Sequence, residues 1–135
     1  MNRIEKAKEN HKNGYNCSKA VACAFCDEVG IDEKTMFALT EGFGLGLGDM
    51  QGTCGAISGA AIILSMKNSC ANPQEPTSKA ATYKIMRKLT SKFREKNGSE
   101  LCHELKGSNN NGVPLRECRG CVEDAATILE EILAE

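Results

Sequence analysis

Eight cysteines in a chain of 135 residues are the side chains best able to do chemistry. Four share one placement: Cys17 follows Asn16, Cys54 follows Thr53, Cys102 stands three residues after Ser99, and Cys118 opens the last helical pattern. Asn, Thr and Ser are favoured helix caps, so these thiols are expected in first helical turns. Unpaired backbone N–H groups and the helix dipole stabilise a thiolate there, and the thiolate is the form that attacks disulfides and binds metals. Arg116 and Arg119 flank Cys118 and are expected to strengthen the effect. Cys118 and Cys121 are spaced C-x-x-C at a helix start, as in thiol oxidoreductases. Cys23 and Cys26 share that spacing but fall past the first turn of an amphipathic pattern, and read as core or partner-facing. Cys70 stands alone in a loop. His103, beside Cys102, could act as a ligand or a base, although a solvated helix residue is the simpler reading.

Several chemistries are excluded by what is missing. The two C-x-x-C pairs lie much further apart than the roughly fifteen to twenty residues of a zinc ribbon. Asp27 and Val122, not His, follow them, so c-type haem attachment is unsupported. The stretch from Gly42 to Gly52 is glycine-rich, but it lacks the third glycine of a dinucleotide fingerprint and no Gly-Lys-Ser/Thr follows it. A net charge of -1 leaves no electrostatic footprint for nucleic acid or an anionic membrane. No substrate pocket or acid–base pair is legible.

Stepping from the thiols to the segments that carry them, the chain reads as all-α: one domain over 1–135, a bundle of five to seven helices. Hydrophobic residues make up 41% and aromatics 4%, with no Trp, which suits helices packed through Ala, Ile, Leu, Val and Met. A charged helix over 2–12 should end at Asn13-Gly14. Asn16 should cap a second, with Cys17, Ala20, Val21, Ala24, Phe25 and Val29 at helical spacing, stopped by Gly30. Asp32 should cap a third with Met36, Phe37 and Leu39 on its apolar side. The glycine loop then leads, with Thr53 as cap, into an apolar helix from Cys54 to Met66. We expect it to be central to the core, and it is too short to span a bilayer. After a polar link, a long helix over 78–96 should bury Ala81, Ile85, Met86, Leu89 and Phe93 and carry a basic face able to dock an acidic partner. Ser99 should cap a short helix, 107–115 should be loop, and a last helix should begin near Cys118. The charged N-terminus has no apolar signal region, so a cytoplasmic location is expected. In that reducing setting cysteines serve metal binding or thiol chemistry more often than structural bridges.

These residues carry a resemblance. Asn16-Cys17-Ser18 with Ala20-Val21, then Cys54-Gly55-Ala56-Ile57-Ser58-Gly59, Cys102 with Glu104-Leu105, and Cys118 ahead of Val122-Glu123-Asp124-Ala125-Ala126 are similar to the redox-active protein family named for its C_GCAxxG_C_C pattern. The resemblance covers nearly the whole chain and implies that the family cysteines are Cys17, Cys54, Cys102 and Cys118, with Cys121 an alternative to the last. A weaker similarity is to the cluster-bearing part of split-Soret cytochromes c, where cysteines hold an iron–sulfur centre.

Three functions stay open. Cys17, Cys54, Cys102, Cys118 and Cys121 could run dithiol–disulfide exchange with a redox partner protein. Cys17, Cys54, Cys102 and Cys118 could instead hold an iron–sulfur cluster, zinc or another metal for electron transfer or sensing. A helical adaptor with inert thiols, docking through the basic helix at 79–96, is the third. The first two require the four helix starts to converge.

Overall fold

Caps written into the sequence begin the first helices. Asn2 Oδ1 accepts from the Glu5 amide and starts α1, Arg3–Lys12; Asn16 Oδ1 accepts from Lys19 and starts α2, Cys17–Ala24; Asp32 accepts from Thr35 and starts α3, Glu33–Leu39. The computed structural model describes residues 1–135 and adds α4, Gly55–Asn68, α5, Lys79–Asn97, α6, Cys102–Leu105, and α7, Cys118–Leu133. Gly14 and Gly98, at φ 96° and 82°, turn the chain out of α1 and α5. The only ladder-like pairing is an isolated antiparallel bridge between Thr53 and Leu101, so the domain is all-α with seven α-helices. No helix is long and apolar enough to cross a membrane.

One cluster of 24 buried residues forms the core, among them Val21, Phe25, Ile57, Ile63, Leu89, Phe93, Val122 and Leu129. Each such side chain contributes about 1.5–3 kcal/mol by leaving water. α4 meets α2, α5 and α7, while α2 meets α1, α3, α4 and α7, so these two helices share the centre. Their crossing is a backbone contact. A Cβ at Gly59 would stand 2.5 Å from the Ser18 carbonyl oxygen, and one at Gly55 would stand 2.9 Å from Phe43 O and 3.2 Å from Ser18 N. Only glycine permits that approach, and it sets the start of α2 beside the start of α4.

Local structure departs from expectation where tertiary hydrogen bonds compete with helix. Cys54 itself is the N-cap of α4, not a first-turn residue behind Thr53. The reason is that the Cys54 amide donates to Glu100 O at 2.7 Å and the Cys102 amide to Gly52 O at 3.0 Å, holding Thr53 extended. Ser99 does not cap α6 either; its hydroxyl accepts from the Leu101 amide, and the helix opens at Cys102 behind Leu101. α2 stops at Ala24, and a 3-10 turn over Cys26–Val29 precedes Gly30. From α3 only Met36 enters the core: Leu39 is 44% exposed, and Phe37, 37% exposed, packs edge-on against Tyr15 beneath the Lys19 ammonium. In α5, Leu89 and Phe93 are buried, Ile85 and Met86 partly so, and Ala81 is exposed, because the first half of the helix lies at the surface.

Candidate thiol site

The starts of α2, α4, α6 and α7 meet around one cavity of about 170 Å³, lined by Cys17, Cys54, Cys102, Cys118 and Cys121 together with His11, Asn16, Leu45, Leu105, Lys106 and Arg116. Each thiol is held there by a separate local device. Asn16, besides capping α2, donates from Nδ2 to Glu41 O, and its side chain fills the space a Cβ at Gly44 would need. Gly55 and Gly59 bring Cys54 alongside α2. The paired 52–54 and 100–102 segments, with Thr53 opposite Leu101, set Cys54 and Cys102 at diagonal positions of one short pairing, with Gly46 folded so tightly over Cys102 that a Cβ would come within 2.6 Å of its own. α7 is anchored by Leu115 N, which donates to Leu105 O at 2.9 Å, and by Arg116, which reaches over Gly120 to place Nε 3.0 Å from Asp124 Oδ2. Lys96 Nζ meets the other Asp124 oxygen at 3.0 Å.

Four of the five thiols act on one another most strongly as two pairs. In the outer pair Cys118 is held at a pKa of about 5, first by the hydrogen bond from the Cys17 thiol and then by the Lys106 ammonium, against the pull of burial. Lys106 Nζ donates to Cys118 Sγ at 3.5 Å. Cys17 is correspondingly pushed up, by its bond to Cys118 and by burial, and so keeps its proton. In the inner pair Cys54 is lowered, chiefly by the neighbouring Cys121 thiol, with the Ala56 and Ile57 amides adding to it, while Cys121, whose Sγ lies 3.8 Å from Arg116 O, is raised by Cys54 and by burial. Cys54 and Cys121 are 5% and 2% exposed; Cys17 and Cys118 are accessible. Cys102 stands apart, its thiol raised by burial and by the neighbouring thiolates. The C-x-x-C of α7 is therefore split between two partners: Cys118 interacts chiefly with Cys17 and Cys121 with Cys54.

Other residues fall differently. Arg116 lines the cavity but binds Asp124, and Arg119 is exposed; the cation beside Cys118 is Lys106. Lys106 was not legible as a site residue, although it follows Cys102 by four and its amide donates to Cys102 O, a spacing that puts both on one helical face. Cys23 and Cys26 lie away from the cavity, raised by burial, Cys23 to about 11. Cys70 is exposed in the 69–78 loop and lowered to about 6, first by the Ser78 hydroxyl and then by the Asn72 and Thr77 amides. His103 bonds Ser108 through Nδ1 at 2.6 Å and does not line the cavity. By type the cavity thiols suit zinc or an iron–sulfur centre, yet no three His, Cys, Asp or Glu side chains are gathered at ligand spacing. The basic face of α5 is partly balanced within the chain: Lys88 pairs with Glu135, Lys92 with Glu131, Arg94 with Glu100 and Lys96 with Asp124.

Comparison with known proteins adds one finding. A family model described as "Putative redox-active protein (C_GCAxxG_C_C)" matches residues 15–132, a span that includes all five cavity cysteines. No curated protein and no solved structure matches the chain.

Proposed function

The chain belongs to the redox-active C_GCAxxG_C_C family, and from that premise we propose that it carries out thiol–disulfide exchange, with Cys118 as the attacking thiolate and Cys17 as the resolving thiol. The observation that supports this most directly is their pairing at the cavity: a thiolate stabilised by one neighbouring thiol and one ammonium, beside a partner that keeps its proton. The Cys118 thiolate attacks one sulfur of a partner's disulfide, a mixed disulfide forms, and the partner's other sulfur leaves as a thiolate. Neutralising Cys118 removes the charge that held the Cys17 proton. Cys17 gives that proton to the departing thiolate and attacks the Cys118 sulfur. The Cys17–Cys118 disulfide forms, and the partner leaves reduced by two electrons, one of its sulfurs carrying the Cys17 proton and the other a thiolate that takes a proton from water. Lys106, 3.5 Å from Cys118 Sγ, offsets the negative charge on that sulfur before the attack.

The substrate is a disulfide narrow enough at its reacting end to reach the accessible side of the cavity, where Cys17 and Cys118 are partly exposed. Lys79, Lys84 and Arg87 of α5 form no ion pair within the chain and offer an acidic partner a docking edge.

The test is trapping with glutathione disulfide as the probe, using anaerobically reduced protein. Among the cavity cysteines, Cys17→Ser should accumulate one stable glutathione adduct, on Cys118, whereas the parent chain should pass through it to the Cys17–Cys118 disulfide; the exposed Cys70 should react alike in both. An adduct distributed over several cavity cysteines, or none on Cys118, would overturn the assignment. Iron and acid-labile sulfide in the freshly isolated protein would instead favour the metal-centre reading of Cys17, Cys54, Cys102 and Cys118.

A further inference from the structure

Cys121 lies outside the four-cysteine frame of the family resemblance, yet it lines the cavity beside Cys17, Cys54 and Cys118 and is the buried thiol that acts on Cys54. We infer that Cys54 and Cys121 form an inner dithiol that reduces the outer Cys17–Cys118 disulfide across the shared cavity, so that one chain reduces two substrate disulfides before it needs regeneration. The inference rests on the exchange reading above and adds to it a route and a capacity.

Three observations carry it. All four sulfurs line the same small cavity, so no segment has to move far for one pair to meet the other. The inner pair is almost wholly buried, at 5% and 2% exposed, which keeps an external disulfide away from it and leaves the outer pair as its access to solution. The backbone contact of Gly59 with Ser18 and of Gly55 with Ser18 N sets Cys17 and Cys54 on touching helix starts, so the two pairs are neighbours and not merely co-resident.

The exchange balances. Starting from the Cys17–Cys118 disulfide, the Cys54 thiolate attacks Cys17; the Cys17–Cys54 bond forms, and Cys118 leaves as the thiolate. Cys118 is the sulfur that leaves because the Lys106 ammonium, 3.5 Å from it, offsets the charge it takes up. Cys121 then attacks Cys54, its proton passing to the departing Cys17. The products are a Cys54–Cys121 disulfide, a Cys17 thiol and a Cys118 thiolate. Two electrons have moved outward from the inner pair, and the only oxidant consumed is the substrate disulfide that oxidised the outer pair. A second substrate disulfide reoxidises that pair.

The experiment is a thiol count and a disulfide map of anaerobically reduced protein after exposure to excess glutathione disulfide. Trypsin suits it: Lys12, Lys19, Lys34, Lys67, Lys96, Lys106, Arg116 and Arg119 separate the five cavity cysteines onto five peptides, with Arg119 cutting between Cys118 and Cys121. The parent chain should lose four cavity thiols, as Cys17–Cys118 and Cys54–Cys121. Cys121→Ser should form the outer disulfide only. Cys118→Ser keeps both inner thiols but should form the inner disulfide roughly tenfold more slowly or worse, since the accessible entry is gone; Cys17→Ser should behave alike, and a melting curve of each shows that it is folded. A parent chain that stops at Cys17–Cys118 would overturn the inner relay and leave the exchange reading standing. So would an inner disulfide that forms as fast in Cys118→Ser as in the parent chain. Absence of the outer disulfide would overturn both.

Discussion

At the scale of single residues, the chemistry turns on one thiolate and the groups that stabilise it. Cys118 is lowered to about 5 by the Cys17 thiol and by Lys106, so its reactive form is present above that pH and is lost as the pH falls through it. Alkylation of Cys118 by iodoacetamide, followed on its tryptic peptide, should accordingly show a midpoint near 5, where a free cysteine titrates near 8.5. Removing the ammonium with Lys106→Met should move that midpoint upward and Lys106→Arg should largely restore it. An unchanged midpoint in Lys106→Met would show that the 3.5 Å contact does not act on the sulfur. The helix-start position of Cys118 was legible in the sequence, but its cation was not. Arg116 and Arg119 are the basic residues next to it in the chain, whereas the one that reaches it comes from α6, because Arg116 is drawn away across Gly120 to the buried Asp124.

At the scale of elements, the site depends on two contacts that fix helix starts. The first is the α2–α4 crossing. Gly59→Leu forces a side chain into the Ser18 carbonyl, and overpacking of this kind costs about 1–3 kcal/mol, more where backbone must shift. Urea denaturation should show at least that loss, and parent-like stability would mean the crossing is loose. The second is the clamp on α7. Burial alone would raise the Asp124 pKa, but the hydrogen bonds from Arg116 and Lys96 outweigh it and the value is lowered. Its contribution to stability is therefore complete above the unfolded value near 4 and is lost as the pH falls through the lower folded value. Asp124→Asn should cost about 3 kcal/mol at neutral pH, the low end for a broken buried pair because both cations keep contact with water, and should flatten the stability profile below pH 4. An acid profile unchanged by the substitution would assign that dependence elsewhere. Helix number, the Asn16 and Asp32 caps and the glycine stops could be read from sequence because they are local signals. The starts of α4 and α6 could not: Thr53 and Ser99 have the right side chains, but the pairing of 52–54 with 100–102 is made by residues almost fifty positions apart and takes the backbone amides first.

At the scale of the whole molecule, four helix starts from widely separated parts of the chain close on one cavity, and the family pattern becomes intelligible as a packing rule as well as a cysteine count. Gly55 and Gly59 let α4 touch α2, Gly46 and Gly52 let the glycine loop close over Cys102, and the cysteines occupy the point where those contacts converge. That the thiols meet was inferable from their common placement; that they meet as pairs, with the C-x-x-C of α7 divided between them, depends on which face of α7 looks at α2 and which at α4, and no spacing rule encodes it. The central claim is reversible exchange at the Cys17–Cys118 pair. The measurement that tests it most directly is an anaerobic redox titration in glutathione buffers, with the disulfide state of each cysteine read by mass spectrometry after alkylation. We predict a colourless, sulfide-free protein in which Cys17 and Cys118 pass together from dithiol to disulfide and return to dithiol when the buffer is made reducing. A protein that holds iron and acid-labile sulfide on these cysteines, or one in which Cys17 and Cys118 stay reduced even at the most oxidising end of the titration, would contradict it.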